Sequence, residues 1–243
     1  MWSSAAFRNR VQAAELLAKE LAHYKGKRPL VLGIPRGSIP MAKVIAEQLD
    51  GELDVVLVHK IGAPDNPEFA IGSVSEFGNV YHSFPMEQSA ARAAEIYEVL
   101  FEYVERSARG ELTRLKQRRE MYSPVRPPVS PKDRIVIIVD DGIATGSTML
   151  AAIRAVRSQG SQKIIVAAPV AAPRTVTLLR IEADELVILE APEDFFSISQ
   201  FYQEFPQVSD EEVVQLLSDA AAASRPEAEN EAEAKAREKI KIA

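Results

Sequence analysis

The stretch VIIVDDGIATGST, residues 136–148, decides the fold. It places a β-branched apolar run, two adjacent carboxylates and a small, hydroxyl-rich loop in one uninterrupted order. A run such as 135–139, with no polar alternation, is the pattern of a parallel strand buried on both faces. Asp140 and Asp141 then stand at the strand's carboxyl end, the edge of an open α/β sheet where ligands bind. Beyond them Gly142, Ala144, Thr145, Gly146, Ser147 and Thr148 lead into an apolar-periodic helix that begins near Met149. Glycines let the backbone approach an anion, the unpaired N–H groups of a helix start point at it, and hydroxyls add donors. Paired carboxylates would repel a polyphosphate, but they suit the vicinal hydroxyls of a ribose whose 5-phosphate lies in the loop. The segment therefore reads as a site for a phosphorylated sugar. A strand, a DG turn and a capped helix also occur in α/β proteins whose two acids are only solvated. A P-loop is disfavoured, because the lysine of its signature is missing after Gly146 and no G-x-G-x-x-G occurs.

Outward from this stretch, strand and helix alternate. Downstream the pattern predicts a helix at 149–158, a strand at 163–168, a helix at 174–181 and a strand at 185–189. Upstream it predicts an amphipathic helix at 5–23, a strand at 29–32, a helix at 40–49 and a second strand at 53–58. Such alternation implies an α/β fold, a parallel sheet flanked by helices with right-handed crossovers. Residues 60–69, KIGAPDNPEF, are too rich in Pro, Gly and Asn to be regular, and 70–84 alternates about Gly78-Asn79 as a hairpin. A long helix is expected at 86–121, with Ile96, Val99, Leu100, Tyr103 and Val104 on one face and a kink or break at Gly110. After Pro192 an irregular stretch carries Phe195, Phe196, Phe201, Tyr202 and Phe205. The capping box Ser209-Asp210-Glu211-Glu212 then opens a short helix to about residue 220. Residues 220–243 hold few large apolar side chains and much alternating charge, so they read as a frayed tail, although their composition also favours helix.

Composition narrows the function classes. A chain of 243 residues with 47% apolar content supports one large domain with a sizeable core. A formal charge of -6 gives no general attraction to nucleic acid or anionic membrane, so an anionic ligand needs local positive charge. With no long apolar run and no leader pattern, the expected location is the cytoplasm. The absence of cysteine excludes disulfides, thiol catalysis and zinc–thiolate sites, and His23, His59 and His82 lack metal-ligand spacing. Arg106, Arg114, Lys116, Arg118 and Arg119 interleave with Glu102, Glu105, Glu111 and Glu120, which is a solvated helix face rather than a nucleic-acid patch.

The order of acids and loop in 136–148 resembles the signature of the type I phosphoribosyltransferases, which use phosphoribosyl pyrophosphate (PRPP), and the resemblance extends to about Leu217. It implies that fold with a hairpin and long-helix insertion over about 60–131 and a small C-terminal hood over about 191–219. The domain would span 1–219 and the tail 220–243. By the same resemblance the turn after the first strand, Pro35, Arg36, Gly37 and Ser38, holds pyrophosphate, often through a non-proline cis peptide; Ser38 stands where relatives commonly have glycine. His59 and Lys60 match the family's cation pair at the end of the second strand, with His59 replacing a common arginine. Glu68, in GAPDNPEF, lies in the loop that closes over the donor in relatives.

What the resemblance implies is a Mg2+-dependent transfer of the phosphoribosyl group from PRPP to a nitrogen acceptor, plausibly a nucleobase, with release of pyrophosphate. Asp140 and Asp141 would hold the ribose hydroxyls and stabilise the developing cation, Arg36 and Lys60 would neutralise the leaving group, and Asp141 is a candidate proton acceptor. Gly142, Ala144, Thr145, Gly146, Ser147 and Thr148 would anchor the 5-phosphate. Magnesium would reach Asp140 and Asp141 indirectly, through donor and water. Phe195, Phe196 and Tyr202 are candidates for the acceptor site, although such aromatics also serve as core. A homodimer is expected, with neither nucleic acid nor membrane as partner. The alternative is a PRPP-binding regulatory protein without turnover.

Overall fold

A computed structural model describes residues 6–83 and 91–223, the side chains of 67–68 and 91–97 excepted. Five parallel strands form the central sheet: β1 (Leu30–Gly33), β2 (Glu52–Val55), β6 (Ile135–Val139), β7 (Lys163–Val170) and β8 (Glu185–Glu190), in the order β2-β1-β6-β7-β8. Alternate residues of each strand enter separate cores. Val31, Ile137, Val139 and Ile165 pack on one face, with Leu17 of α1 (Arg10–Glu20), Ile45 of α2 (Ile39–Gln48) and Leu217 of α6 (Asp210–Ala223) in the same core. Leu30, Leu32, Val136 and Ile138 pack on the other, with Ile153 of α4 (Ser147–Ser158) and Leu179 of α5 (Pro173–Glu182). Burial on both faces is why these strands read as continuous apolar runs.

The register is what positions the site. Gly33 lies opposite Val139, and the Ile34 amide donates to the Val139 carbonyl at 3.2 Å. The turn that follows β1 and the acids that follow β6 therefore leave the sheet side by side.

A second, antiparallel sheet of β3 (Val58–Ala63), β4 (Asn66–Ser75) and β5 (Val80–His82) packs beside α4. The expected hairpin about Gly78-Asn79 is its β4–β5 turn, with Gly78 at φ 85°. Residues 60–69, expected to be irregular, instead supply the end of β3 and the start of β4. Register shifts at Ile61/Gly62 and Gly62/Ala63 absorb the mismatch, while buried Ile61, Ile71 and Val74 reward the pairing. The second parallel strand is also shorter than expected: β2 ends at Val55, and Val58 already belongs to β3.

The long helix α3 (Ala91–Tyr122) passes through Gly110 without a break. Buried Val104, Ala108, Leu115 and Tyr122 recur at helical spacing and hold it down, against a glycine penalty of about 1 kcal/mol. Leu100 and Tyr103 pack on the core beside Val104, whereas Val99 is 67% exposed because it lies about 100° around the helix from Leu100; the Ile96 side chain lies outside the described residues. At the amino end α1 starts at Arg10 rather than residue 5. Asn9 caps it by accepting from the Gln12 amide at 3.1 Å, and Phe7 is drawn into extended pairing with 201–203. The expected capping box is present at α6: Ser209 Oγ accepts from the Glu212 amide and Glu212 Oε2 from the Ser209 amide. That helix runs to Ala223, and the residues after it lie outside those described. Among the described residues no helix is long and apolar enough to cross a membrane.

Candidate active site

The site is built at the carboxyl edge of β1 and β6. After β1 the chain makes a turn with a cis Pro35–Arg36 peptide, then enters α2. Ser38 is fully buried and donates its hydroxyl to the Ile34 carbonyl at 2.6 Å, so this side chain braces the turn from within. Arg36 extends outward. Its Nη1 lies 3.3 Å from Asp210 Oδ2 at the start of α6, while Asp210 Oδ1 accepts from the Tyr122 hydroxyl at 2.7 Å.

Beside the turn stands the acid pair. Asp140 Oδ1 accepts from the Asp141 amide at 2.9 Å. Asp141 is 8% exposed, and its Oδ2 meets Arg10 Nε at 2.9 Å and Nη2 at 2.8 Å. Burial pushes the Asp140 carboxyl well above its ordinary range, and the negative charge of Asp141 pushes it further. Burial also raises Asp141, but the Arg10 guanidinium opposes that rise. Arg10 thus favours the charged form of Asp141 more than that of Asp140. A Cβ built on Gly37 would fall on Asp141 Oδ2, so glycine is what lets turn and acid touch.

Beyond the acids lies the loop. Gly146 caps α4 at φ 78°, a left-handed conformation in which glycine carries no Cβ penalty, and an added Cβ would meet Thr175 Cγ2 at 2.7 Å. Among the described residues the N–H groups of Ala144, Thr145, Gly146, Ser147 and Thr148 take no backbone acceptor, as the first turn of a helix requires. Ala144 and Thr145 are exposed. Thr175 of α5, buried, donates to the Ala144 carbonyl at 2.6 Å, which fixes the loop from below. Thr145 and Ser147 also line a cavity of about 490 Å³ between α4 and the second sheet.

The hood wraps the acids from the other side. Tyr202 is buried against Phe7 and Phe205 and donates its hydroxyl to the Asp141 carbonyl at 2.6 Å. It is a strut under the acids rather than an open stacking surface. Phe195 packs on Phe201, with ring centroids 5.2 Å apart, whereas Phe196 is 87% exposed. Of the three candidate acceptor aromatics, Phe196 is the most open to solvent.

His59 and Lys60 are not at the edge of the central sheet, because they belong to β3. Lys60 pairs with Ser73 across β4, and His59 Nδ1 lies 3.6 Å from Glu111 of α3. Their relation to the site is set by the second sheet. The Glu68 side chain lies outside the described residues. Arg10 and Thr175 could not be singled out from sequence: each lies on a helix remote in the chain from the group it holds, and neither belongs to a local pattern.

Among the described residues no His, Asp or Glu cluster forms a ready metal site. Among the described residues, Asp140 Oδ2 takes no side-chain partner beside the bonds to Arg10 and the Asp141 amide. That donor set suits a magnesium ion that keeps its waters and most of its ligands from a bound phosphate.

The parallel α/β sheet thus carries a loop of open amides after one strand, an acid pair before that loop and a glycine turn alongside. The chain belongs to the phosphoribosyl transferase domain family, whose model matches residues 8–205. Two Mycobacterium tuberculosis proteins, each named "Putative phosphoribosyl transferase", are 37% identical over 214 residues, covering 88% of this chain and 47% of theirs. The chain thus spans about half the length of these curated relatives. The crystal structure of TT1426 from Thermus thermophilus superposes with a TM-score of 0.75 at 42% identity, covering 88% of this chain and 98% of that one.

Proposed function

We propose that this protein transfers the 5-phosphoribosyl group of PRPP to a nitrogen acceptor, plausibly a nucleobase, and releases pyrophosphate. The observation that carries this reading is the register that sets the Pro35–Arg36 turn, the acid pair and the open amides of 144–148 side by side. The 5-phosphate would rest on those amides and the ribose hydroxyls on Asp140. Pyrophosphate would lie on the turn, with Arg36 leaving Asp210 to meet it. As the bond from C1 to the pyrophosphate oxygen breaks, its electron pair departs with the leaving group and positive charge builds on the ribose. The acid pair offsets that charge, so positioning and electrostatics supply the catalysis. The acceptor nitrogen then bonds to C1 and gives up its proton. Asp141 is a weak base for that proton because Arg10 holds its charge, so Asp140 is the better acceptor. Bound magnesium, held through the donor and by Asp140 and Asp141 through water, would neutralise the pyrophosphate charge. Phe196 offers a face for a planar acceptor.

A PRPP-binding regulatory role is the second reading. It is favoured by the acid partner that Arg36 already has, Asp210, which competes with pyrophosphate for that cation. A screen of purine and pyrimidine bases with PRPP and magnesium, reading released pyrophosphate, separates the two. Product with one base establishes transfer, and PRPP binding without product from any base establishes the regulatory role.

A further inference from the structure

Arg10 lies far from every motif of the sequence, yet its guanidinium stands where the parts of the site meet. It is 7% exposed. Nε and Nη2 bind Asp141 Oδ2, Nη1 donates to the Pro206 carbonyl of the hood at 2.6 Å, and the plane lies 3.7 Å over the Phe205 ring. The pyrophosphate turn abuts the same ion pair, since a Cβ on Gly37 would lie 3.0 Å from Arg10 Nη2 as well as on the Asp141 carboxylate. The backbone before α1 is stitched to the hood too: Phe7 donates to the Phe201 carbonyl, while Gln203 and Glu204 donate to the carbonyls of Phe7 and Arg8.

We infer that Arg10 is a positioning residue that couples the hood to the ribose acids and the pyrophosphate turn, so that these parts hold their places together. The inference rests on the proposed reaction for its catalytic meaning, but the coupling itself is a property of the fold. Only a planar fork of donors can reach a carboxylate and a carbonyl at once while stacking on a ring. Lysine supplies the charge as a point donor and methionine supplies only the volume. Without a cation, Asp141 would be a buried charge with no ionic partner, pressed against Gly37.

The test is hydrogen exchange by mass spectrometry on wild type, Arg10→Lys and Arg10→Met, with steady-state kinetics on the same proteins. Arg10→Met should speed exchange at residues 35–38, 140–142 and 201–206 while leaving the interiors of α4 and β7 unchanged. Its kcat should fall by about a hundredfold, the scale of a small misplacement of reacting groups, and Arg10→Lys should fall between it and wild type. Millimolar methylguanidinium should restore part of the activity of Arg10→Ala. Exchange changes confined to residues 8–20, or a lowered Tm with kcat and KM unaltered, would overturn the inference. If Arg10→Met does not fold, the exchange pattern of Arg10→Lys decides. If wild type does not bind PRPP, the proposed reaction fails, and the exchange pattern still decides the coupling.

Discussion

Asp140 and Asp141 are neighbours in the chain that meet different surroundings. Asp141 is charged against Arg10, while Asp140 carries a carboxyl raised by burial and by its neighbour. An acid with a raised folded-state pKa binds its proton more tightly folded than unfolded. Its ionisation therefore costs stability as pH rises from the ordinary carboxylate range through the raised value. Asp140→Asn keeps an oxygen to accept from the Asp141 amide but removes that charge. The variant should melt above wild type at neutral pH, and the difference should close as pH falls toward about 4, the ordinary aspartate value. Thermal unfolding across that range checks it; a variant less stable than wild type at neutral pH would contradict the assignment. The same substitution should lower turnover more than PRPP affinity, because an amide still binds ribose hydroxyls but cannot offset the charge that appears at C1. Pyrophosphate release paired with calorimetric PRPP binding measures both, and equal losses would argue against a role confined to the transition state.

At the scale of elements, the loop of 144–148 depends on α4 for its open amides and on α5 for its shape. Gly146→Ala places a Cβ in a left-handed conformation and against Thr175, so it should destabilise the protein by about 1–2 kcal/mol and weaken PRPP binding. Urea unfolding together with calorimetry would show this, and an unchanged affinity would mean that the loop does not hold the 5-phosphate. Thr175→Val removes the bond to the Ala144 carbonyl and should cost about 1 kcal/mol, a loss read from the same unfolding curves. The second sheet illustrates what local sequence leaves open. Residues 60–69 look irregular because Pro, Gly and Asn dominate them, and they become strands because α3 supplies Val104 and neighbouring apolar groups for Ile61, Ile71 and Val74 to pack against. His59 and Lys60 left the central sheet for the same reason.

For the whole molecule, the core closes with α6, where Val213, Leu217 and Ala220 are buried. That helix continues past 219 to Ala223. Removing residues 224–243, which contain too few large apolar side chains to support a core, should leave Tm and PRPP binding unchanged. A drop of several degrees in Tm on truncation would show that this segment packs on the domain or on a second copy.

The amino-acid sequence by itself determined the parallel α/β class, the acid pair at 140–141, the small hydroxyl-rich loop at 142–148 and the glycine turn at 35–38. Each is written in contiguous residues whose periodicity, charge and backbone freedom carry their own meaning. Only the tertiary structure decided that Gly33 faces Val139, that Arg10 and Tyr202 hold Asp141, that Thr175 holds the loop, and that Ser38 points inward. Those are contacts between residues far apart in the chain, made where separate elements pack, and no local pattern encodes which side chain will arrive there.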